Sequence, residues 1–237
     1  MRITYIKHSA FLAEWENAAC LFDWTEGELP PIPEGERLFV FASHAHADHF
    51  SKEIFDRFRS RPGTTFVLSS DIRPDQAWEK GCLVKRMKPE MRLFFPGGEG
   101  GALSVTTLES TDCGVAFLVN YGGRTVYHAG DLHWWAWPDD SPAEEKAMKN
   151  AFFTQIAKLK GMELDVAFLP LDPRLGGNYW MGFDALMRSA RVKHAFPMHM
   201  WERYEYIEKL CALPAAAPYK DRIEPADAPG KSFELEE

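Results

Sequence analysis

Residues 43–50, which read Ser-His-Ala-His-Ala-Asp-His-Phe, carry three of the eight histidines of the chain and an aspartate within six consecutive positions. Imidazole and carboxylate groups are ligands for zinc, manganese or iron, and the lack of a thiolate argues against a closed structural zinc site. In an extended segment His44 and His46 project to the same side and can share one metal ion, while Asp48 and His49 can hold a second. A histidine-rich helix cap is the alternative interpretation, although Asp48 alone would provide that cap.

The flanking residues predict that this stretch connects a strand to a helix. Residues 38–42, Leu-Phe-Val-Phe-Ala, form an apolar run of strand length, which is typical of a strand buried on both faces. Ile54, Phe55 and Phe58 recur at helical spacing, and Ser51 is positioned to cap that helix. Because such loops commonly carry the ligand sites of open sheets, we expect the histidines at a sheet edge.

The pattern H-x-H-x-D-H after a buried strand resembles the signature of the metallo-β-lactamase-fold hydrolases. Three more segments resemble motifs of that family and follow in the family's order. Asp23 closes an early strand, as in the first motif. The Gly-Asp pair at 130–131 resembles the motif whose aspartate bridges two metals. Residues 196–199, Phe-Pro-Met-His, resemble the late motif that supplies the last histidine.

The resemblance implies a metal centre built from distant parts of the chain. The implied ligands are His44, His46, Asp48, His49, Asp131 and His199. The family's third histidine should fall between residues 108 and 115, but the chain has no histidine there. Asp112 is the favoured replacement, because a carboxylate suits a hydrolytic centre. The thiolate of Cys113, or a weakened site completed by water, are the alternatives.

Several residues near these motifs are candidates for contact with a substrate. His133 lies just past Asp131 and could reach substrate. Trp134 belongs to a group of tryptophans that could form a hydrophobic wall around an organic molecule. Arg174 could bind a substrate carboxylate or phosphate, or pair with Asp172.

Two further histidines are not among the implied metal ligands. His8 lies in a Lys-His-Ser-Ala-Phe segment that resembles the superfamily branch related to ascorbate-phosphate lactonases. It could line the site, although a loop histidine is more often structural. His128, three residues before Asp131, is predicted to lie in the core or behind the metal ligands.

The length and composition favour a compact globular protein. The 237 residues are 46% hydrophobic and 14% aromatic, and we expect a single domain over residues 1–237. Strand candidates dominate the first half, and strands alternate with helices in the second. This order fits the α/β class, specifically the four-layer αββα sandwich of the family that the motifs resemble. The net charge of −8 disfavours a nucleic-acid partner, which needs an extended basic face.

The second half of the chain also carries local helix signals. Ser141 and Glu144 form a capping box with Pro142 at the first helical position. Helices are predicted over residues 183–192 and 201–210, with a strand at 195–197 between them. Residues 231–235 are a candidate for a late edge strand.

The N-terminal residues enter strand-like sequence directly, and no apolar run is long enough to span a bilayer. The four cysteines are widely spaced, without a C-x-x-C pair. These features predict a reduced, cytoplasmic protein without a membrane partner, and they leave its oligomeric state open.

The expected function is metal-dependent hydrolysis. One or two divalent ions, most simply zinc, with manganese or iron as alternatives, lower the pKa of bound water to about 7. The metal-activated hydroxide then attacks a carbonyl carbon or phosphorus, and Asp48 is the predicted catalytic residue that orients it and accepts its proton. A small ester, lactone or phosphorylated metabolite is the expected substrate. A phosphodiesterase or nuclease of the same fold and a non-catalytic metal sensor are the alternatives.

Overall fold

A computed structural model describes residues 1–98 and 101–236 as two β-sheets packed face to face, with helices outside them. The strands are β1 (Arg2–Lys7), β2 (Ala10–Glu14), β3 (Ala18–Phe22), β4 (Arg37–Ala42), β5 (Thr64–Ser69), β6 (Leu83–Met87), β7 (Arg92–Gly98), β8 (Gly101–Glu109), β9 (Val115–Tyr121), β10 (Arg124–His128), β11 (Glu163–Pro170), β12 (Arg191–Met198) and β13 (Ser232–Glu234). The α-helices are α1 (Glu53–Phe58), α2 (Gln76–Glu79), α3 (Pro142–Ile156), α4 (Met181–Ser189) and α5 (Glu205–Ala212).

The strand order brings several loops to one edge of the sandwich. Within the described residues, the first sheet has the order β13-β1-β2-β3-β4-β5-β6 and the second has the order β12-β11-β10-β9-β8-β7. Strands β3 to β6 pair in parallel in the first sheet, as do β10 to β12 in the second. Because parallel strands end at the same edge of a sheet, the residues that follow them lie side by side.

The central strands β3 and β4 of the first sheet are buried on both faces because nearly every position is apolar. In β4, Phe39 and Phe41 point to the core between the sheets, whereas Leu38 and Val40 point to a second apolar cluster outside. The two sheets meet through aromatic pairs, including a stacked pair of Phe11 and Phe168 with ring centroids 4.2 Å apart. This contact fixes the position of one sheet relative to the other, and so also the positions of the loops at their edges.

The helices cover the outer faces of the two sheets. Ile54, Phe55 and Phe58 of α1 are buried in the outer cluster of the first sheet, while Phe183 and Leu186 of α4 pack against the core of the second. The four-layer αββα arrangement is therefore confirmed. None of the helices in residues 1–98 and 101–236 combines the length and the hydropathy needed to cross a bilayer.

The structure confirms some predicted element boundaries and corrects others. The capping box begins α3 as predicted, with Ser141 accepting from the backbone N–H of Glu144. The N-cap of α1 lies one residue later than predicted, because it is Lys52, and Ser51 accepts only a 3.3 Å hydrogen bond from Glu53 N–H. The prediction of a helix at 201–204 is wrong, because Trp201 has φ 53° and α5 begins at Glu205.

We expect Phe168→Ala to destabilise the protein by about 3–5 kcal/mol, because it opens a cavity between the two sheets. Phe168 is fully buried and its ring contacts the rings of Phe11, Phe22 and Phe196. Urea unfolding followed by tryptophan fluorescence measures the loss. The matched control is Phe94→Ala on β7, whose side chain is 63% exposed and whose loss should cost about 0.5 kcal/mol or less. Equal effects of the two substitutions would contradict this account of the core.

Candidate metal centre

The loops at one edge of the sandwich bring two groups of metal-binding side chains together. Each residue of a group offers one ligand atom, and those atoms lie within 4.8 Å of one another. The first group comprises His44, His46, Asp112 and Asp131. The second group comprises His8, Asp48, His49 and His199. Every metal ligand expected from the sequence falls in one of the two groups, and His8 joins the second.

Asp131 lies between the two groups and presents one carboxylate oxygen to each. Its Oδ2 is 3.5 Å from His44 Nε2 in the first group. Its Oδ1 is 3.2 Å from His49 Nε2 and 3.6 Å from His199 Nε2 in the second group. This geometry is suited to a carboxylate that bridges two cations.

Several buried polar atoms in the second group lack a hydrogen-bond partner among the described residues. They include Nε2 of His49 and Nε2 of His199, and Oδ1 of the neighbouring Asp131 also lacks a partner. Burying an unpaired polar atom is costly, so isolated cases in native proteins are few. Three such atoms that face one another are explained together by a shared cation. The residues present therefore fit a divalent metal.

Hydrogen bonds behind the histidines leave the nitrogens that face the centre free. His49 Nδ1 donates to Asp23 Oδ2 at 2.7 Å, and His199 Nδ1 donates to Asp172 Oδ2 at 2.9 Å. A carboxylate only accepts, so each Nδ1 carries the proton and each Nε2 keeps its lone pair when the ring is neutral. Asp23 also accepts from the backbone N–H and the hydroxyl of Ser43, which fixes its orientation.

His44 is oriented through the same network. Because the Ser43 hydroxyl donates to Asp23, His44 Nδ1 must donate to Ser43 Oγ across 3.0 Å. Its Nε2 then faces His46 Nδ1 at 3.0 Å. Two imidazole nitrogens that approach each other in this way can bind the same cation.

Two glycines allow the loops of the second sheet to approach this network closely. A Cβ on Gly114 would lie 2.0 Å from the carbonyl oxygen of Ser43, and a Cβ on Gly130 would lie 2.7 Å from the Ser43 Cβ. Both glycines also have positive φ, at 69° and 51°. Larger residues here would separate Asp112 and Asp131 from the histidines of the first sheet.

Backbone strain is concentrated at the site. Asp23, His199 and His8 adopt left-handed φ values of 45°, 61° and 51°, which residues other than glycine seldom adopt. The backbone N–H of His199 donates to the carbonyl of His8 at 3.1 Å, so two of the strained residues are joined across the sheets. Such strain persists only where the surrounding contacts hold it, and it is common in functional sites.

The electrostatic field at the second group favours positive charge. Burial by itself lowers the pKa of His49, but the carboxylates of Asp131 and Asp23 outweigh it and raise that pKa well above its usual value. Burial also acts to lower the pKa of His199, but hydrogen bonds to Asp172 and Asp48 outweigh it and raise that pKa. Burial would raise the pKa of Asp131, yet the surrounding histidines lower it. The same field would attract a divalent cation.

Asp112 stands in the first group, where the chain lacks a third histidine. Its Oδ2 is 3.5 Å from His46 Nδ1, and both side chains are about half exposed. Cys113, the alternative replacement, belongs to neither group of potential ligands in the described part of the chain. The geometry therefore favours Asp112 over the thiolate.

A cavity of about 290 Å³ opens onto the metal-binding groups. Its lining comprises His46, Asp48, Thr111, Asp112, Asp131, Trp135, Trp137, Met148, Arg174 and His199. The guanidinium of Arg174 donates three hydrogen bonds to Asp172, which in turn accepts from His199. Its guanidinium also lies over the Trp201 ring, 4.6 Å from the centroid. Arg174 thus pairs with Asp172 and also lines the cavity.

Two predicted substrate contacts lie away from this cavity. His133 is 1% exposed and packs against Gly182, where a Cβ would meet its ring at 2.4 Å. Burial lowers its pKa to about 4, so it is neutral near pH 7. Trp134 packs against Phe153. The structure thus corrects the expected positions of His133 and Trp134, because Trp135 and Trp137 form the aromatic wall instead.

The structure also assigns positions to residues whose roles the sequence left open. His128 accepts from Gly130 N–H through Nδ1 and donates to the Ser9 carbonyl through Nε2, so both nitrogens are occupied behind the site. The sequence indicates Asp172 only as a partner of Arg174, yet its carboxylate also orients His199. The signal that could have found this role was its position just beyond a buried parallel strand, as for Asp131.

Comparisons with known proteins point to one family. Residues 2–141 match the sequence model of the family described as "Beta-lactamase superfamily domain". A "UPF0173 metal-dependent hydrolase" of Heliobacterium modesticaldum is 26% identical over 215 residues, covering 84% of this chain and 82% of the relative. A metallo hydrolase from Ignicoccus hospitalis superposes with a TM-score of 0.61 at 19% identity, over 99% of both chains. The metallo-beta-lactamase fold protein YhfI from Bacillus subtilis superposes with a TM-score of 0.63 at 13% identity, over 98% of this chain and 99% of that one.

We expect zinc binding to release protons at pH 7 and to weaken as the pH falls. His49 and His199 have pKa values raised above the ordinary 6.5, so in the absence of metal they hold more protons near neutral pH than free imidazoles do, and a cation must displace those protons. Affinity should therefore fall up to about tenfold per pH unit for each displaced proton. Calorimetric titration of the metal-free protein in buffers of different ionisation enthalpy counts those protons. An affinity that stays constant between pH 6 and pH 8 would contradict the electrostatic argument.

Proposed function

The chain belongs to the β-lactamase superfamily, and from this premise we propose that it is a metal-dependent hydrolase of a small ester, lactone or phosphorylated metabolite. The observation that carries the proposal is the convergence of unpartnered ligand atoms around Asp131. His49 Nε2, His199 Nε2 and Asp131 Oδ1 are buried, lack hydrogen-bond partners among the described residues and face one another.

Two ions are accommodated in this proposal, one in each group, with Asp131 between them. The donors are imidazole nitrogens and carboxylate oxygens, a set that suits zinc first and also manganese or iron. When bound, the ions supply a water nucleophile of lowered pKa and stabilise negative charge on the substrate oxygen. In the first group, the carboxylate of Asp112 replaces the family's third histidine as a metal ligand.

The chain's own residues would position the reactants and limit access of bulk water. Asp48 belongs to the second group and also lines the cavity, which supports its proposed role in orienting the attacking water and accepting its proton. Trp135 and Trp137 stack with ring centroids 5.9 Å apart along the cavity wall. Their apolar faces would exclude water from one side of a bound substrate.

The dimensions of the cavity support a small substrate. Its volume of about 290 Å³ is at the lower end of the range typical of small-molecule sites. Arg174 is the one lysine or arginine among the described residues that line it. Its pairing with Asp172 uses Nε and Nη2. Within residues 1–98 and 101–236, Nη1 has no hydrogen-bond partner, which supports a role in holding an anionic substrate group.

The direct test compares His46→Ala with His194→Ala. His46 belongs to the first group and lines the cavity. His194 lies on β12, belongs to neither group and pairs with Glu224. We expect His46→Ala to lose bound metal and nearly all turnover, about 10³-fold or more. Metal content by mass spectrometry and rates on a panel of esters, lactones, phosphomonoesters and phosphodiesters provide the measurement.

Wild-type-like metal content and turnover in His46→Ala would refute the assignment. A wild-type protein that binds metal stoichiometrically but hydrolyses no member of the panel would favour the non-catalytic alternative. His194→Ala should match wild type in both measurements, which separates loss of the site from loss of any histidine.

If Arg174 recognises an anionic group, Arg174→Gln should raise KM for anionic substrates about 10-fold to 100-fold. A neutral substrate with the same scissile bond is the internal control, because its KM should change little. Arg174→Lys should recover part of the affinity, since it keeps the charge but loses the planar fork. Equal changes of KM for the charged and neutral substrates would instead indicate that Arg174 acts only by holding Asp172.

A further inference from the structure

His8 lies on the turn between β1 and β2, and the metal ligands predicted from the sequence do not include it. Its backbone is left-handed, with φ 51°, and its carbonyl accepts from the N–H of His199. Its ring packs against those of both His199 and Trp201, with centroid distances of 4.3 and 4.7 Å. The turn is thus held in a strained conformation that directs one imidazole toward the second group.

The Nε2 atom of His8 has no hydrogen-bond partner among the described residues, although it is buried. It lies 3.4 Å from Asp48 Oδ2, and Asp48 Oδ2 lies 3.6 Å from His199 Nε2 and 3.8 Å from His49 Nε2. Ligands about 2.1 Å from one zinc ion stand roughly 3 to 4 Å apart. The spacing of these atoms is therefore that of a set around a common cation.

We propose that His8 is a direct ligand of the cation in the second group, together with Asp48, His49 and His199. This inference rests on the proposed metal centre and adds a ligand from the first turn of the chain. The second group then holds three imidazoles, whereas the first holds two imidazoles and the carboxylate of Asp112, with Asp131 shared between them.

The two sites are then chemically unequal. A site richer in imidazole favours zinc, whereas a site richer in carboxylate is more tolerant of manganese. Burial also favours tighter binding in the second group, because His49 and His199 are nearly inaccessible while His46 and Asp112 of the first group are about half exposed. The second site should fill first and bind zinc more tightly.

The experiment compares His8→Asn with wild type and with the His194→Ala control. Asparagine tolerates left-handed backbone better than most residues, so this substitution removes the imidazole with little added strain. The metal-free proteins are titrated with zinc against a chromophoric chelator. X-ray absorption of the protein loaded with one equivalent of zinc counts imidazole ligands.

We expect His8→Asn to weaken the tighter zinc site at least about 100-fold and leave the weaker site unchanged. The tighter site should also show one imidazole fewer by X-ray absorption. His194→Ala should titrate like wild type.

The inference would be overturned if His8→Asn had the same two zinc affinities and the same number of imidazole ligands as wild type. This holds whether or not turnover changes. Loss of turnover alone would assign His8 to proton transfer or substrate contact, not to the metal. A wild-type protein that binds no zinc would instead overturn the proposed function itself, so the two failures are distinguishable.

Discussion

The burial of carboxylates among imidazoles, at the edge where the two sheets meet, is the constraint on which the site depends. Asp131 and Asp23 are almost fully buried, and a buried negative charge is costly unless opposite charge and hydrogen bonds compensate it. Asp23 has both, because Ser43 donates to it twice and His49 donates once. Asp131 has imidazoles nearby, but its Oδ1 makes no hydrogen bond among the described residues. The protein thus encloses negative charge that its own donors only partly balance.

The sandwich makes this arrangement possible because it fixes both edges independently of the site. The apolar contact of Phe11 with Phe168 sets the distance between the sheets, and parallel pairing aligns the ends of the strands that carry the ligands. Close approach at Gly114 and Gly130 then brings the loops of the second sheet against Ser43. The histidines are held by rigid strand ends and by hydrogen bonds behind them, so little ordering is left for a cation to impose.

The sequence predicted those features that depend on local pattern or on a motif. The continuous apolar run of residues 38–42 indicated a strand buried on both faces, and the motif order indicated which strand ends would meet. It did not predict the conformation of residues 199–204, where helical spacing suggested a helix beginning at Trp201. Contacts with His8 hold His199 and Trp201 in left-handed backbone instead, and no local propensity encodes such a tertiary contact. His133 was misplaced for a related reason, since only the packing of Gly182 shows that its ring faces inward.

The inequality of the two groups follows from topology. The β1–β2 turn and the end of β12 lie in different sheets but touch through His8 and His199, so the second group is enclosed by both sheets. The first group depends on the short turn between β8 and β9, which brings a half-exposed Asp112 to the cavity beside Arg174. Ligand exchange is easier at an exposed site with few imidazoles than at an enclosed one. His46 and Asp112 of the first group line the cavity together with Asp48 and His199 of the second, so a small molecule in the cavity would lie against both groups.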